Sequence, residues 1–371
     1  LGDVYKRQAY KDKHQSDLDR RTYYENLLRL QIELIKLQDW VDNGVRGLTS
    51  NPSIFEKAIS GSDAYDSQFG KLIGSGASIE SAYWELVKTD ISSAASILRS
   101  VYDESNGLDG YVSVEVDPRL ARDTERTIHA ARSLYTELDC PNVYIKIPGT
   151  EEGLPAIKQI ISEGISVNVT LLFSVERYEN VIEAFISGLE NCTGDVSKTS
   201  SVASFFISRT DSEVDKQLNM IGTDQALQLR GKTAVAQGQL AYEMFSNKFS
   251  TDRWKDLEER GAKVQRPLWA STSTKDPSYP DTLYVDSLIG PNTVNTLPDS
   301  TLEAFIDHGT LDRTVDISFD TAKEIISDVE SLGIDLKSVS QLLESQGVEA
   351  FESSFGNLLE TLSEKAERIT S

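Results

Sequence analysis

The chain has 371 residues, of which 39% are hydrophobic and 8% aromatic, enough apolar material for a large buried core. Its 37 basic and 59 acidic residues give a formal net charge of −22. Nucleic acids and anionic membranes bind basic surfaces, so this charge balance argues against both as partners.

The first eight residues look foreign to the rest of the chain. The segment from Asp3 to Gln8 is the hexapeptide obtained by translating a common sequencing-library adapter, so residues 1–8 are expected to be a non-native lead. A native leading segment is the alternative. Residues 9–371 are expected to form a single domain that includes the terminal helices.

Short buried strands alternate with helices along much of the chain. In the strand segments, β-branched residues occupy one face, and polar residues gather toward the C-terminal end of the other face. Apolar residues at helical spacing separate them. An alternation every roughly 30 residues is typical of βαβ units and a parallel sheet. The predicted strands lie within residues 45–52, 111–117, 142–149, 165–172 and 201–208.

The polar strand faces distinguish between two parallel architectures. Central strands of an open doubly wound sheet are covered on both sides and read as continuous apolar runs. One polar face near the strand ends is instead typical of a barrel whose mouth is an active site. We predict a (β/α)8 TIM barrel. A long helix is expected over residues 224–249, and additional C-terminal helices over 318–369, with breaks near Gly333 and Gly347.

Lys146 is the most informative residue of these strands. It shares one strand face with Tyr144, while Val143, Ile145 and Ile147 share the other. Loss of hydration favours the neutral amine, which attacks a carbonyl to form a Schiff base. The alternative is a lysine whose stem packs and whose ammonium reaches the strand end.

Cofactor and metal signals are absent from the sequence. It has no GxGxxG motif, no phosphate-binding loop and no clustering of its 3 histidines, so no cofactor or metal is predicted. The well-separated Cys140 and Cys192 indicate a reducing compartment. With no secretory leader or apolar run long enough for a bilayer, the expected location is the cytoplasm.

Several segments of the chain carry distinctive motifs. They are GLTSNPSIFEKAI at 47–59, the Lys146 strand, NVTLLFS at 168–174, SVASFFISR at 201–209, and the segments 266–275 and 281–298. The first four resemble signature segments of the transaldolase family, and the last two resemble its longer bacterial subgroup. The resemblance implies a metal-free class I aldolase barrel of carbohydrate metabolism, a transferase of the pentose phosphate pathway. Such an enzyme moves a dihydroxyacetone unit from sedoheptulose 7-phosphate to glyceraldehyde 3-phosphate, giving erythrose 4-phosphate and fructose 6-phosphate.

Two alternatives to that activity remain open from the sequence. One is an aldolase that acts on fructose 6-phosphate or a related ketose without an obligatory acceptor. The other is a non-catalytic barrel that binds sugar phosphates. In each case the expected partners are phosphorylated sugars, and the expected oligomeric state is a monomer or a homodimer.

The resemblance also implies catalytic roles. Lys146 matches the Schiff-base lysine, and Glu115 matches a glutamate that, with Thr170, holds and activates the water used to form and hydrolyse the imine. Alternatively, Glu115 only pairs with Lys146. The acid/base of carbon–carbon cleavage is an aspartate in the family. Its nearest match here is Glu25, one methylene longer, with Asp19 as the second candidate.

Four further residues match positions that contact the sugar. Asn51 and Asn168 match asparagines that orient substrate hydroxyls, although either could instead cap a strand end. Ser204 and Phe206 match residues that line the pocket, and core packing is the alternative for Phe206.

The substrate phosphate requires cations. Arg209 matches the phosphate arginine of the family, with a surface ion pair to Asp211 as the alternative. A second phosphate arginine of the shorter family members has no counterpart here. Ser271, Ser273 and Lys275 are the expected replacement, unless Lys275 simply lies on an exposed loop.

Overall fold

Seven parallel strands form one sheet in the computed structural model, which describes residues 29–61 and 63–370. The predicted lead 1–8, Asp19 and Glu25 therefore lie outside the described residues. The strands are β1 (Gly47–Thr49), β2 (Tyr111–Glu115), β3 (Val143–Pro148), β4 (Val167–Leu172), β5 (Ser201–Phe206), β6 (Arg266–Ala270) and β7 (Val294–Asn295).

The order of the strands identifies the architecture. Each strand pairs in parallel with the next one along the chain, from β1 to β7. In a doubly wound sheet this order would reverse at a switch point. The sequential, curled sheet with helices between its strands is the arrangement of a (β/α)8 barrel. The prediction of an α/β barrel fold is confirmed.

Helices precede, connect and follow the strands. Several begin at a side-chain cap; for example, Ser174 accepts the backbone N–H of Arg177. No helix of residues 29–61 and 63–370 combines the length and apolarity needed to cross a membrane. The helices are α1 (Arg29–Asp42), α2 (Pro52–Ser60), α3 (Asp66–Gly74), α4 (Ile79–Ile97), α5 (Arg99–Glu104), α6 (Thr124–Leu138), α7 (Gly153–Ser162), α8 (Val175–Asn191), α9 (Ser208–Ile221), α10 (Asp224–Gln228), α11 (Thr233–Lys248), α12 (Asp252–Glu259), α13 (Leu283–Asp286), α14 (Asp299–His308), α15 (Phe319–Ser331) and α16 (Leu336–Thr370), with 3₁₀ turns at Pro118–Leu120 and Val196–Lys198.

The larger apolar core lies between the sheet and its helices. Val114, Ile145 and Val169 from successive strands share this cluster with Ile157 of α7 and Ile182 of α8. These strand residues belong to the β-branched face recognised in the sequence. The alternation therefore directs the polar side chains to the opposite face of the sheet.

A second apolar cluster covers that opposite face. Tyr144, Leu171 and Phe206 of the strands pack there with Leu343 and Phe351 of α16. The last helix thus lies over the side of the sheet that carries the polar residues. This arrangement brings a distant part of the chain to the predicted site.

Two predicted helical regions differ from the structure. Residues 224–249 form two helices, because Gly231 between them has φ +69° and donates its N–H to Asp215. Gly333, at φ +86°, ends α15 as predicted. The predicted break near Gly347 is wrong: α16 continues through it, and a Cβ there would lie 2.9 Å from Leu171 Cδ2. Gly347 serves close packing rather than helix termination.

Candidate active site

Lys146 and Glu115 form a buried pair on adjacent strands. They are register partners on β3 and β2, and Lys146 Nζ lies 3.1 Å from Glu115 Oε2. The two side chains are only 5% and 2% exposed. Lys146 Nζ also donates to the carbonyl oxygen of Ser50 at 3.2 Å. Neither Glu115 oxygen has an aligned hydrogen-bond donor among the described residues, so the carboxylate contact is an ion pair in a nearly dry site.

Burial changes the acidity of this carboxyl group. It raises the pKa of Glu115, and the positive charge of Lys146 opposes that rise only in part. A carboxyl group with a raised pKa beside an amine can exchange a proton more readily than one fixed as a carboxylate. The pair is therefore suited to general acid–base chemistry at the lysine nitrogen.

A chain of hydrogen bonds continues from this pair across the polar face. Ser204 Oγ donates to Asn168 Oδ1 at 2.7 Å, and Asn168 Nδ2 donates to Ser113 Oγ at 3.0 Å. Asn168 is the register partner of Lys146. The structure thus brings the predicted residues Asn168 and Ser204 together beside Lys146. It adds Ser113, whose strand position two residues before Glu115 was the signal available in the sequence.

Thr170 is buried on the same strand as Asn168. Its Oγ1 has no hydrogen-bond partner among the described residues, and the same holds for both Glu115 oxygens. Buried polar atoms are rarely left unpaired in proteins. These orphaned oxygens fit the predicted water-holding role of Glu115 and Thr170, because a water molecule between them would satisfy them.

A β-bulge follows Thr170. The register of β4 against β5 shifts between Val169 and Leu172, and Leu171 adopts φ +60°, which is strained for a branched residue. As a result Leu171 joins the cluster beneath α16, while Leu172 returns to the helix-facing core. Bulges often lie beside active sites, where they redirect side chains.

The last helix completes the surroundings of Lys146. The centroid of the Phe351 ring lies 5.6 Å from Lys146 Nζ, within cation–π range. Ser340 Oγ donates to the Phe173 carbonyl at 3.0 Å and ties the start of α16 to the end of β4. Phe351 was not predicted as a site residue, because no local pattern links a residue of a C-terminal helix to a strand lysine.

Asn51 and Phe206 show the alternatives that the sequence left open. Asn51 Oδ1 accepts the backbone N–H of Ile54 at 2.9 Å and so caps α2, a bond that involves only its amide oxygen. Phe206 packs against the Phe173 ring at a centroid distance of 5.1 Å. Its ring also lies 5.5 Å from the guanidinium carbon of Arg209. Phe206 therefore links the core to the predicted phosphate arginine.

The ion pair between Arg209 and Asp211, which was the alternative to phosphate binding by Arg209, does not form. Asp211 accepts the backbone N–H of Ala234 at 2.7 Å and the hydroxyl of Tyr284 at 2.9 Å, and it is 1% exposed. Among the described residues, Arg209 has no salt bridge to a carboxylate. Burial lowers the pKa of Arg209, as expected for an unpaired cation near the site.

A second cation lies next to Arg209. Partial desolvation, and to a smaller extent the positive charge of Arg209, lowers the pKa of Lys275, although Lys275 as a whole remains exposed. Lys275 Nζ donates to Ser273 Oγ at 2.8 Å. Ser271, at φ +55°, places its Oγ 2.9 Å from Ser208 Oγ at the start of α9. The loop after β6 therefore meets the helix that carries Arg209.

The loop with Lys275 is anchored at two further points. Tyr279 donates its hydroxyl to Asp215 at 2.7 Å, and Arg230 forms a 2.8 Å salt bridge with Asp276. Asp215 and Arg209 both belong to α9. The two cations are thus held on connected elements.

The fold is a parallel α/β barrel with a buried lysine–carboxylate pair on its polar face and cations nearby, an arrangement typical of an enzyme. Within residues 29–61 and 63–370, no cluster of three or more metal-ligating side chains occurs. The sequence model of the transaldolase/fructose-6-phosphate aldolase family matches residues 29–362. The chain belongs to this family.

Curated relatives are similar over nearly their whole length. The chain is 49% identical over 351 residues to a transaldolase of Frankia alni, covering 93% of this chain and 95% of the relative. A transaldolase of Thermobifida fusca is 48% identical over 355 residues, covering 94% and 96%. Transaldolase 2 of Streptomyces coelicolor is 47% identical over 362 residues, covering 96% and 97%.

Proposed function

We propose that the chain is a transaldolase that moves a dihydroxyacetone unit from sedoheptulose 7-phosphate to glyceraldehyde 3-phosphate. The products would be erythrose 4-phosphate and fructose 6-phosphate. The observation that carries this proposal is the buried pair of Lys146 and Glu115, 3.1 Å apart. Relatives named transaldolase at 47–49% identity support it.

The first step forms the Schiff base. Glu115 takes a proton from the Lys146 ammonium, and the neutral amine attacks the ketose carbonyl carbon. A proton returned to the resulting hydroxyl allows it to leave as water, which gives the iminium. Thr170 and Glu115, with their orphaned oxygens, would hold that water and use it again for hydrolysis.

The second step breaks and remakes a carbon–carbon bond. A general base removes the proton from the C4 hydroxyl, the C3–C4 bond breaks, and its electron pair passes into the iminium to give an enamine. The released aldose leaves, and the enamine carbon attacks the acceptor aldehyde. In our proposal Glu25 is this base and Asp19 the second candidate. Asn51, Asn168, Ser204 and Phe206 orient and enclose the sugar.

The phosphate group would bind at the rim of this site. Arg209 supplies a planar guanidinium that suits phosphate oxygens, and Lys275 adds a second charge. Ser271 and Ser273 would donate hydroxyl hydrogen bonds from the same loop. The positive charge of Arg209 contributes to the lowered pKa of Lys275, which supports this grouping.

Borohydride trapping tests the proposal directly. The protein is incubated with fructose 6-phosphate, reduced and digested, and the peptide masses are measured by mass spectrometry. We expect the mass of a reduced dihydroxyacetone or hexose adduct on the peptide that contains Lys146, and none on that peptide in Lys146→Ala. Label should be absent from the exposed Lys158, which serves as the matched control. Folded wild-type protein without label on Lys146 would overturn the proposal.

The family description also names fructose-6-phosphate aldolase, which gives a second candidate. Both activities use the same iminium, so trapping does not separate them. An assay of fructose 6-phosphate with and without erythrose 4-phosphate does. A transaldolase consumes fructose 6-phosphate at an appreciable rate only with the acceptor, whereas an aldolase releases dihydroxyacetone hydrolytically without it.

A cytoplasmic location and a monomeric or homodimeric state belong to the same proposal. Cys140 and Cys192 are both free in the structure, in keeping with a reducing compartment. Light scattering during size-exclusion chromatography would measure the oligomeric state.

A further inference from the structure

One aromatic ring of the described part of the chain lies within cation–π range of the Lys146 nitrogen. Phe351 is 4% exposed, and its ring centroid lies 5.6 Å from this nitrogen, whose side chain is 5% exposed. Phe351 belongs to α16, far from the strands in sequence.

Contacts of α16 one turn before and one turn after Phe351 fix the position of its ring. Gly347, four residues earlier, lies against Leu171 and close to Arg209 Nη1. Phe355, four residues later, packs against the Tyr83 ring at 5.3 Å. Residues four apart lie on the same helix face, so these contacts hold Phe351 over Lys146.

Next to this anchored face, a hydrogen bond joins α16 to α2. The hydroxyl oxygens of Ser53 and Ser354 lie 2.7 Å apart. Since Asn51 caps the same α2, the helix that covers Lys146 is attached to the end of β1 as well as to β4. Contacts on both sides of the site therefore hold α16 in place.

We propose that Phe351 is a positioning residue that keeps bulk water from the Lys146-bound intermediate and thereby favours transfer over loss of dihydroxyacetone. The inference rests on the proposed function. After cleavage, the enamine carbon either attacks an aldehyde or takes a proton from water. Protonation gives an iminium, to which water adds, and the C–N bond then breaks to return the amine and free dihydroxyacetone.

The ring acts at the protonation step. An apolar face over the nitrogen leaves no room for the hydrogen-bonded water that would deliver the proton, and exclusion of water suppresses such side reactions. The water that hydrolyses the final product would be a separate one, held by Glu115 and Thr170 as in the proposed function. Phe351 therefore affects the fate of the intermediate more than the formation of the imine.

The test measures how much of the dihydroxyacetone unit of fructose 6-phosphate is released and how much is transferred, in single-residue variants. For Phe351→Ala we expect the ratio of free dihydroxyacetone to transferred product to rise on the order of tenfold, a modest change in relative barrier height. Phe351→Leu should restore a ratio close to that of the wild type, because it keeps an apolar cover. In heavy water, Phe351→Ala should also incorporate more solvent deuterium into the released dihydroxyacetone per turnover.

Leu362→Ala is the matched control, since it removes a fully buried apolar side chain from the same helix, about three turns beyond the ring, without uncovering the nitrogen. An equal rise in this variant would show that loosening of the helix, not the ring, is responsible, and would overturn the inference. An unchanged ratio in Phe351→Ala would do the same. Should Phe351→Ala not fold, Phe351→Val provides the measurement. Wild-type trapping at Lys146 is read separately, so failure of the proposed function is distinguished from failure of this inference.

Discussion

At the scale of single residues, the site depends on charges held away from water. Glu115 and Lys146 offset each other's burial, and removal of one partner would leave the other uncompensated. A neutral replacement of similar shape is therefore the most informative change, because it separates charge pairing from the proposed proton transfer.

Glu115→Gln removes the charge and keeps the size of the side chain. We expect kcat to fall roughly 100-fold or more, because the amine loses its proton acceptor. Steady-state transfer assays would measure this. Glu137→Gln, which changes a half-exposed surface partner of Lys88, should leave kcat unchanged. Wild-type turnover in Glu115→Gln would mean that Glu115 only pairs with Lys146.

Asp211 is expected to make the folded protein less stable as pH rises. Burial is the main cause that raises its pKa from 3.8 to about 7. Its contribution to folding stability is therefore fully present below about pH 4 and is lost as pH rises through about 7. A shift of this size corresponds to up to about 4 kcal/mol of unfolding free energy.

Asp211→Asn should remove this dependence of unfolding free energy on pH. Asparagine can still accept the Ala234 N–H, and its N–H₂ group can donate to Tyr284, so the fold is retained. Urea unfolding from about pH 4 to pH 8 would measure the effect, with a flatter profile for Asp211→Asn than for the wild type. Parallel profiles would contradict the assignment.

Strand alternation made much of the site predictable from sequence. It placed Lys146, Glu115, Asn168 and Ser204 on one face, and the family resemblance singled them out. It could not give the contact of Phe351 with Lys146, because that contact depends on where the last helix lies. Nor could it decide on the alternative ion pair of Arg209 with Asp211, which does not form because Asp211 accepts the N–H of Ala234 instead.

At the scale of elements, close packing of α16 on β4 decides how well the site is covered. The approach is possible because Gly347 has no side chain. Local sequence favoured a helix break at this glycine, since glycine lowers helix propensity. The glycine instead allows α16 to pack closely against Leu171, a tertiary contact that the sequence pattern did not reveal.

Gly347→Ala would place its Cβ 2.9 Å from Leu171 Cδ2, so the end of that side chain must shift. The overpacking, about 1–3 kcal/mol of unfolding free energy, should cancel or exceed the gain of about 1 kcal/mol that alanine brings to a helix interior. Gly356→Ala, in the same helix with nothing near its Cβ, should instead stabilise by about 0.4–1 kcal/mol. Urea unfolding of both variants would compare them, and equal stabilities would refute the packing role of Gly347.

The loop after β6 is the other element that positions the site. Tyr279→Phe removes its bond to Asp215, and so loosens the segment that carries Lys275. Loss of one such bond should raise KM for the phosphorylated ketose roughly threefold to tenfold and change kcat little. Tyr135→Phe on α6 is the control. An unchanged KM in Tyr279→Phe would remove Lys275 from the phosphate site.

At the scale of the whole molecule, the parallel order of the strands was the most predictable property. Alternation of strands and helices sets that order, and β1 to β7 follow it without exception. The part of the chain before residue 29 lies outside the described residues, so the predicted roles of Glu25 and Asp19 stay predictions.

Deletion of residues 1–8 addresses the predicted non-native lead. We expect unchanged kcat, KM and unfolding midpoint, because no role in the single domain of residues 9–371 is assigned to them. A matched deletion of residues 1–28, which also removes Asp19 and Glu25, should abolish carbon–carbon cleavage. Loss of activity in the shorter deletion would show that the first eight residues belong to the working protein.

The position of α16 in the chain has a consequence for synthesis in the cell. The ribosome releases the strand that carries Lys146 long before it releases Phe351, and proteins fold from the N-terminal end as they emerge. Until translation finishes, Phe351 cannot lie over the amine of a nascent chain. We expect ribosome-stalled chains that end before residue 336 to lack the water exclusion that α16 would provide at Lys146 in the finished protein.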